Sequence, residues 1–160
     1  LGLTGVLFTI PSLALFILLI PFTGLSIWTS LIGLTMYTLL ILVRNIVEGL
    51  RGVDRDVREA AQAMGYTRAR QLFQVELPLA LPVIMAGIRI ATVTTIGLVT
   101  ITALIGQGGL GQLFLDGFTL NFATPIVVGI VLSALLAFVA DLTLVGVQHR
   151  LTPWARSRGR

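Results

Sequence analysis

Gly106-Gln107-Gly108-Gly109-Leu110-Gly111 has the G-x-G-x-x-G spacing that cradles a pyrophosphate when it lies between a strand and a helix N-terminus. Here a long apolar stretch precedes it, so the glycines read as a tight turn rather than a nucleotide site. His149 is the sole histidine and has Arg150 beside it, with no second ligand nearby, so it reads as a solvated residue at a helix end. There is no cysteine, which removes thiolate nucleophiles, disulfides and cysteine metal sites. No G-x-x-x-x-G-K run occurs, so the chain lacks the phosphate loop of an ATPase. Nothing in this inventory points to catalysis, a cofactor or a metal.

The remaining polar candidates are embedded in apolar sequence. Ser12 follows Pro11, which is expected to kink a helix there. Thr92, Thr94, Thr95, Thr100 and Thr102 give one stretch a polar side. Such threonines either line a polar path, with Thr92 and Thr95 the foremost candidates, or satisfy contacts between membrane helices. Arg89 and Asp141 are the two charges placed well inside apolar stretches.

The elements that carry these residues follow from composition. Apolar residues make up 56% of the 160 and charged residues 11%, against about 25% charged in a soluble domain. The mean hydropathy is +0.98. Four apolar stretches, 5–20, 25–43, 79–105 and 124–147, approach or exceed the length of a membrane-crossing helix. In lipid each segment must satisfy its own backbone, so helices are expected and strands are not. The expectation is an all-α, multi-pass membrane bundle in one domain over residues 1–160. The opening Leu1-Gly2 lacks a methionine and no signal-peptide pattern leads the first stretch, so the natural N-terminus is expected upstream.

All eleven basic residues are arginine, and the net charge is +4. Six lie in the connection 44–78 region (Arg44, Arg51, Arg55, Arg58, Arg68, Arg70) and four close the chain, while the connections 21–26 and 106–123 hold none. By the positive-inside rule the 44–78 loop and the C-terminus face the cytoplasm of a plasma or inner membrane. The arginines lack the aromatic interleaving of a nucleic-acid surface, so a lipid bilayer is the expected neighbour. In this topology Arg89 sits about 9 Å and Asp141 about 10 Å above the same face. They pair if their helices are neighbours; otherwise Arg89 snorkels inward and Asp141 faces a wet cavity or another subunit.

The 44–78 loop carries the most structured pattern. Asp56 is expected to cap a helix, with Glu59 three residues on reaching back. Val57, Ala60, Ala61 and Met64 fall at helical spacing on one face. Gly65 is a left-handed C-cap candidate. Thr67 is expected to cap a second short helix ending near Leu77, because Pro78 follows. A ridge built of alanines buries little area alone and suits a groove on another protein better than a membrane interface, which favours Trp, Phe and Leu.

Glu59-Ala60-Ala61, then Gly65, then Val75-Glu76-Leu77-Pro78 resembles the signature of permeases in binding-protein-dependent ABC importers, with Val75 where that family has isoleucine. Thr9 to Leu15, Arg44-Asn45, Gly52-Val53-Asp54 and Leu77 to Arg89 are similar to permeases for glycine betaine, choline or carnitine. Ala103 to Leu113 is similar to these and to methionine permeases. The resemblance implies a cytoplasmic coupling helix that docks in a cleft of separate ABC ATPase subunits, with Glu59, Ala60, Ala61 and Gly65 as docking positions. It implies a second permease subunit, identical or different, and an extracellular solute-binding protein near the glycine turn. It implies osmoprotectant transport and no enzymatic activity of the chain's own. Methionine or amino-acid import is the alternative within the class. An ion-coupled secondary transporter is the rival outside it, and Asp141 as the lone deep acid gives that little support.

Overall fold

In the computed structural model, residues 11–154 are described. Helix α1 spans Ser12–Thr23, α2 Ile27–Arg51, α3 Arg55–Ala63 and α4 Arg68–Gln71. A π-helical turn, Leu72–Glu76, joins α4 to α5, Leu77–Ile101, which tightens into a 3-10 turn at Thr102–Ile105. A second 3-10 turn at Gly109–Gly111 leads into α6, Gln112–Thr119, and the long α7, Ala123–Leu151. Among the described residues there is no strand, and the fold is an all-α membrane fold.

Among the described residues three helical segments are long and apolar enough to cross a bilayer: Ile27–Arg51, Arg68–Ile105 and Ala123–Leu151. The most apolar window of α7 is only 6% buried. Val127, Ile130, Val131, Leu135, Phe138 and Val139 stand open along it, an apolar face too extensive for water. The expected stretch 5–20 lies partly outside the described residues. Its described part is α1, and Pro11 precedes that helix with ψ 135 instead of kinking its interior. Proline is tolerated at a helix start because the N–H it lacks has no intrahelical partner there. The helix also runs on through Pro21 to Thr23, beyond the expected end at Ile20.

Packing divides the chain into two compact units, one with residues up to Leu40 and Ala91–Leu142, the other with Ile41–Ile90 and the chain from Thr143. In the first, Phe16 of α1 is fully buried against α2, where Gly33 leaves room that a Cβ would fill by colliding with the ring. Removing the side chain lets membrane helices approach closely. The α1–α2 turn is knotted by hydroxyls: Thr29 Oγ1 donates to the Gly24 carbonyl at 2.6 Å, and Ser26 Oγ to that of Thr23 at 2.8 Å. Thr38 on α2 and Thr95 on α5 share a hydroxyl–hydroxyl bond of 2.9 Å.

In the second unit Val53, Ala80 and Ile84 form a buried cluster, with Ile46, Leu50, Leu77 and Ile88 packed on it. Two expected boundaries move. Helix α2 continues from Val43 to Arg51, because Arg44 and Glu48 pair at i,i+4 (3.0 Å) and carry the helix into polar sequence. Pro78 does not terminate a helix. The Leu77 N–H donates to the Leu72 carbonyl five residues back, and Pro78 then occupies the first turn of α5, where its missing N–H matters least.

Candidate functional site

The loop pattern read from sequence folds as two capped helices. The N-cap of α3 is Asp54, whose side chain accepts from the Asp56 N–H at 3.0 Å. This corrects the expected cap at Asp56. With the cap moved two residues back, Glu59 does not reach for the helix start; it accepts from Arg55 Nε at 2.6 Å, one turn away. Both side chains are exposed, so the ion pair is worth only about 0.3–0.5 kcal/mol. Glu59 thus remains open to an external partner.

The C-terminus of α3 closes as the sequence suggests. Gly65 has φ +78, its N–H donates to Gln62 O at 2.9 Å, and Tyr66 N–H donates to Ala61 O at 3.2 Å. That pair of bonds is a Schellman motif, which requires a residue at ease in the left-handed region. Thr67 caps α4 as expected, accepting from the Arg70 N–H at 3.4 Å. The Arg70 guanidinium lies 4.7 Å from the centre of the Tyr66 ring, fixing the turn between the helices by a cation–π contact.

The anticipated ridge is split. Ala61 is 1% exposed, while Ala60 and Met64 are open and Val57 is 38% exposed. Helix α3 packs on α4 and the π-turn. The small side chain of Ala61 therefore serves close packing inside the chain, and Glu59 and Ala60 point outward. Between the same elements lies a polar cleft of about 340 Å3, lined by Arg58, Gln62, Arg68, Gln71, Leu72 and Glu76.

Two residues of this cleft escaped the sequence reading. Gln71 is buried, and its Nε2 donates to Glu76 Oε1 at 2.8 Å across the π-turn. Arg58 turns inward from α3, its Nη2 donating to the carbonyls of Val53 at 2.7 Å and of Leu50 and Arg51 at 3.2 Å each. The i,i+5 spacing of Gln71 and Glu76 signals contact only once a π-turn is known. No local pattern announces Arg58, whose acceptors lie five to eight residues back, at the end of α2 and in the turn that follows it.

The other candidates lie away from the loop. Ser12, Thr92, Thr95 and Asp141 belong to the first packing unit, and Arg89 to the second. All five are half-buried. Thr95 shares a hydroxyl bond with Thr38, a contact between α2 and α5. The glycine run forms a compact turn with Gly106 at φ 78, and Thr102 Oγ1 donates to Gln107 O at 2.9 Å across it. A helix, not a strand, precedes that turn.

Proteins similar in sequence cover nearly the whole chain. Its sequence is 39% identical to the choline transport system permease protein OpuBB of Bacillus subtilis, over 98% of this chain and 72% of that protein. It is 40% identical to the osmoprotectant import permease protein OsmW of Salmonella typhimurium, over 96% of this chain and 74% of that protein. It is 38% identical to the glycine betaine/carnitine/choline transport system permease protein OpuCD of Bacillus subtilis, over 99% and 69% respectively. Residues 1–153 match the family described as binding-protein-dependent transport system inner membrane component. With that match spanning nearly its full length, the chain belongs to the family of inner membrane components of binding-protein-dependent transport systems.

Proposed function

We propose that this chain is the permease subunit of an ATP-driven importer of quaternary-amine osmoprotectants such as glycine betaine, choline or carnitine. The observation that carries the reading is the doubly capped loop helix α3, closed by Gly65 and holding Glu59 and Ala60 outward. It is a rigid docking element attached to helices fit for a bilayer, in a chain without a phosphate-binding loop. The solute class rests on the names of the relatives, whose printed substrates are choline, carnitine, glycine betaine and osmoprotectants.

In this reading a binding protein delivers the solute outside, two permease subunits form the path, and two ATPase subunits close on ATP against the 44–78 loops. The arginines of that loop and of the C-terminus support a cytoplasmic side for both. The chain supplies the conduit and the transmission and performs no chemistry. Deleting the gene should abolish rescue of growth at high salt by external betaine. Retained rescue, together with lost methionine uptake, would shift the assignment to an amino-acid importer.

A further inference from the structure

A helix end leaves its last four carbonyls without intrahelical partners, and the dipole makes that end negative. At the end of α2 a cation from a different helix meets two of them, those of Leu50 and Arg51. Arg58, in the first turns of α3, reaches the carbonyls of Leu50, Arg51 and Val53 with one guanidinium nitrogen. Its Nε is fully enclosed, so the stem is packed in place and not free in solvent. The residue it grips hardest, Val53, buries its side chain among Ala80 and Ile84 of α5. One side chain therefore ties α3 to the end of one membrane-length helix and, through Val53, to the start of another.

We propose that Arg58 is a positioning residue for transport, a strut that transmits displacement of α3 to α2 and α5. The proposal rests on the reading that α3 docks on the ATPase. Arg58 and Glu59 are adjacent and point about 100° apart around the helix, so one faces the chain and the other a partner. Without the strut α3 still packs on α4 and the π-turn, but its direct link to the end of α2 is reduced to the turn Gly52, Val53 and Asp54.

The test uses the assembled importer in liposomes, with permease, ATPase and binding protein present, and follows glycine betaine uptake and ATP hydrolysis together. Arg58→Met should keep the ATPase bound and hydrolysis within about twofold, while uptake per ATP falls at least about tenfold, as for one lost charged hydrogen bond. Arg58→Lys, which keeps charge and a donor, should recover much of that ratio. A purely structural role lowers uptake and hydrolysis together and leaves the ratio unchanged, and that result overturns the strut. Should Arg58→Met fail to accumulate, the ratio is read on Arg58→Lys and Arg58→Gln, expected in the order Arg, Lys, Gln; absence of that order also overturns it. Glu59→Arg separates the two readings: an ATPase still bound and coupled in that variant defeats docking by α3, and the strut with it.

Discussion

Gln71 donates to Glu76 at 2.8 Å across the π-turn that joins the loop to α5. In an α-helix residues five apart point about 140° away from each other, and only the wider turn brings them together. The bond thus spans the π-turn that joins the 44–78 loop to α5.

Glu76→Ala should therefore be felt through Gln71. It leaves a buried amide without its acceptor, which costs about 1–3 kcal/mol. Thermal unfolding in detergent should show the loss, and Gln71→Leu with Glu76→Leu should recover most of it. Equal melting of Glu76→Ala and the native protein would mean the bond contributes nothing.

Gly65 offers a clean test of backbone against packing. A Cβ there meets nothing within 4 Å, so the left-handed φ of +78 alone should penalise other residues. Gly65→Ala and Gly65→Val should each lose about 1–2 kcal/mol of local stability and impair uptake, and Gly65→Asn should be milder. If Val is tolerated as well as Asn, the cap does not govern the loop.

These local features were legible because each depends on residues close in sequence. Gly65 follows its helix by one turn of pattern, and Thr67 precedes its own. Asp54 and Asp56 are both good caps two residues apart, and nothing local decides between them. The end of α2 was misplaced because Arg44 and Glu48 look like loop composition until their i,i+4 pairing is counted. Pro78 reads as a stop in the sequence because the π-turn that accommodates it has no sequence signature. Arg58 reads in the sequence only as a topology charge, since its contacts depend on a turn that brings α3 to the end of α2.

Glu59→Arg should abolish uptake and copurification of the ATPase while leaving insertion and melting nearly unchanged. Its ion pair with Arg55 is solvent-exposed and contributes little. A marked drop in melting temperature would instead assign Glu59 a structural role inside the chain.

Thr95→Val distinguishes a helix contact from a path residue. The bond to Thr38 should be worth about 0.6 kcal/mol in a membrane, and Thr38→Val, which also removes the bond to the Leu34 carbonyl, should cost at least as much, with the Thr95 loss not added on top. Uptake should follow stability only. A variant with native melting and lost uptake would return Thr95 to the solute path.

The final prediction concerns where the solute is recognised. Quaternary ammonium is held best by aromatic faces grouped around it. Here Trp28 is exposed on α2, Tyr37 is buried farther along the same helix, Tyr66 lies in the loop and Trp154 lies beyond α7. The Tyr66 ring is already covered by the guanidinium of Arg70. These rings are spread along the chain and one is occupied by an internal cation, an arrangement suited to anchoring and not to a cage. The purified permease should therefore show no micromolar affinity for glycine betaine by calorimetry, and transport affinity should track the binding protein. Micromolar binding to the permease alone would place the recognition site in this subunit and overturn the division of labour.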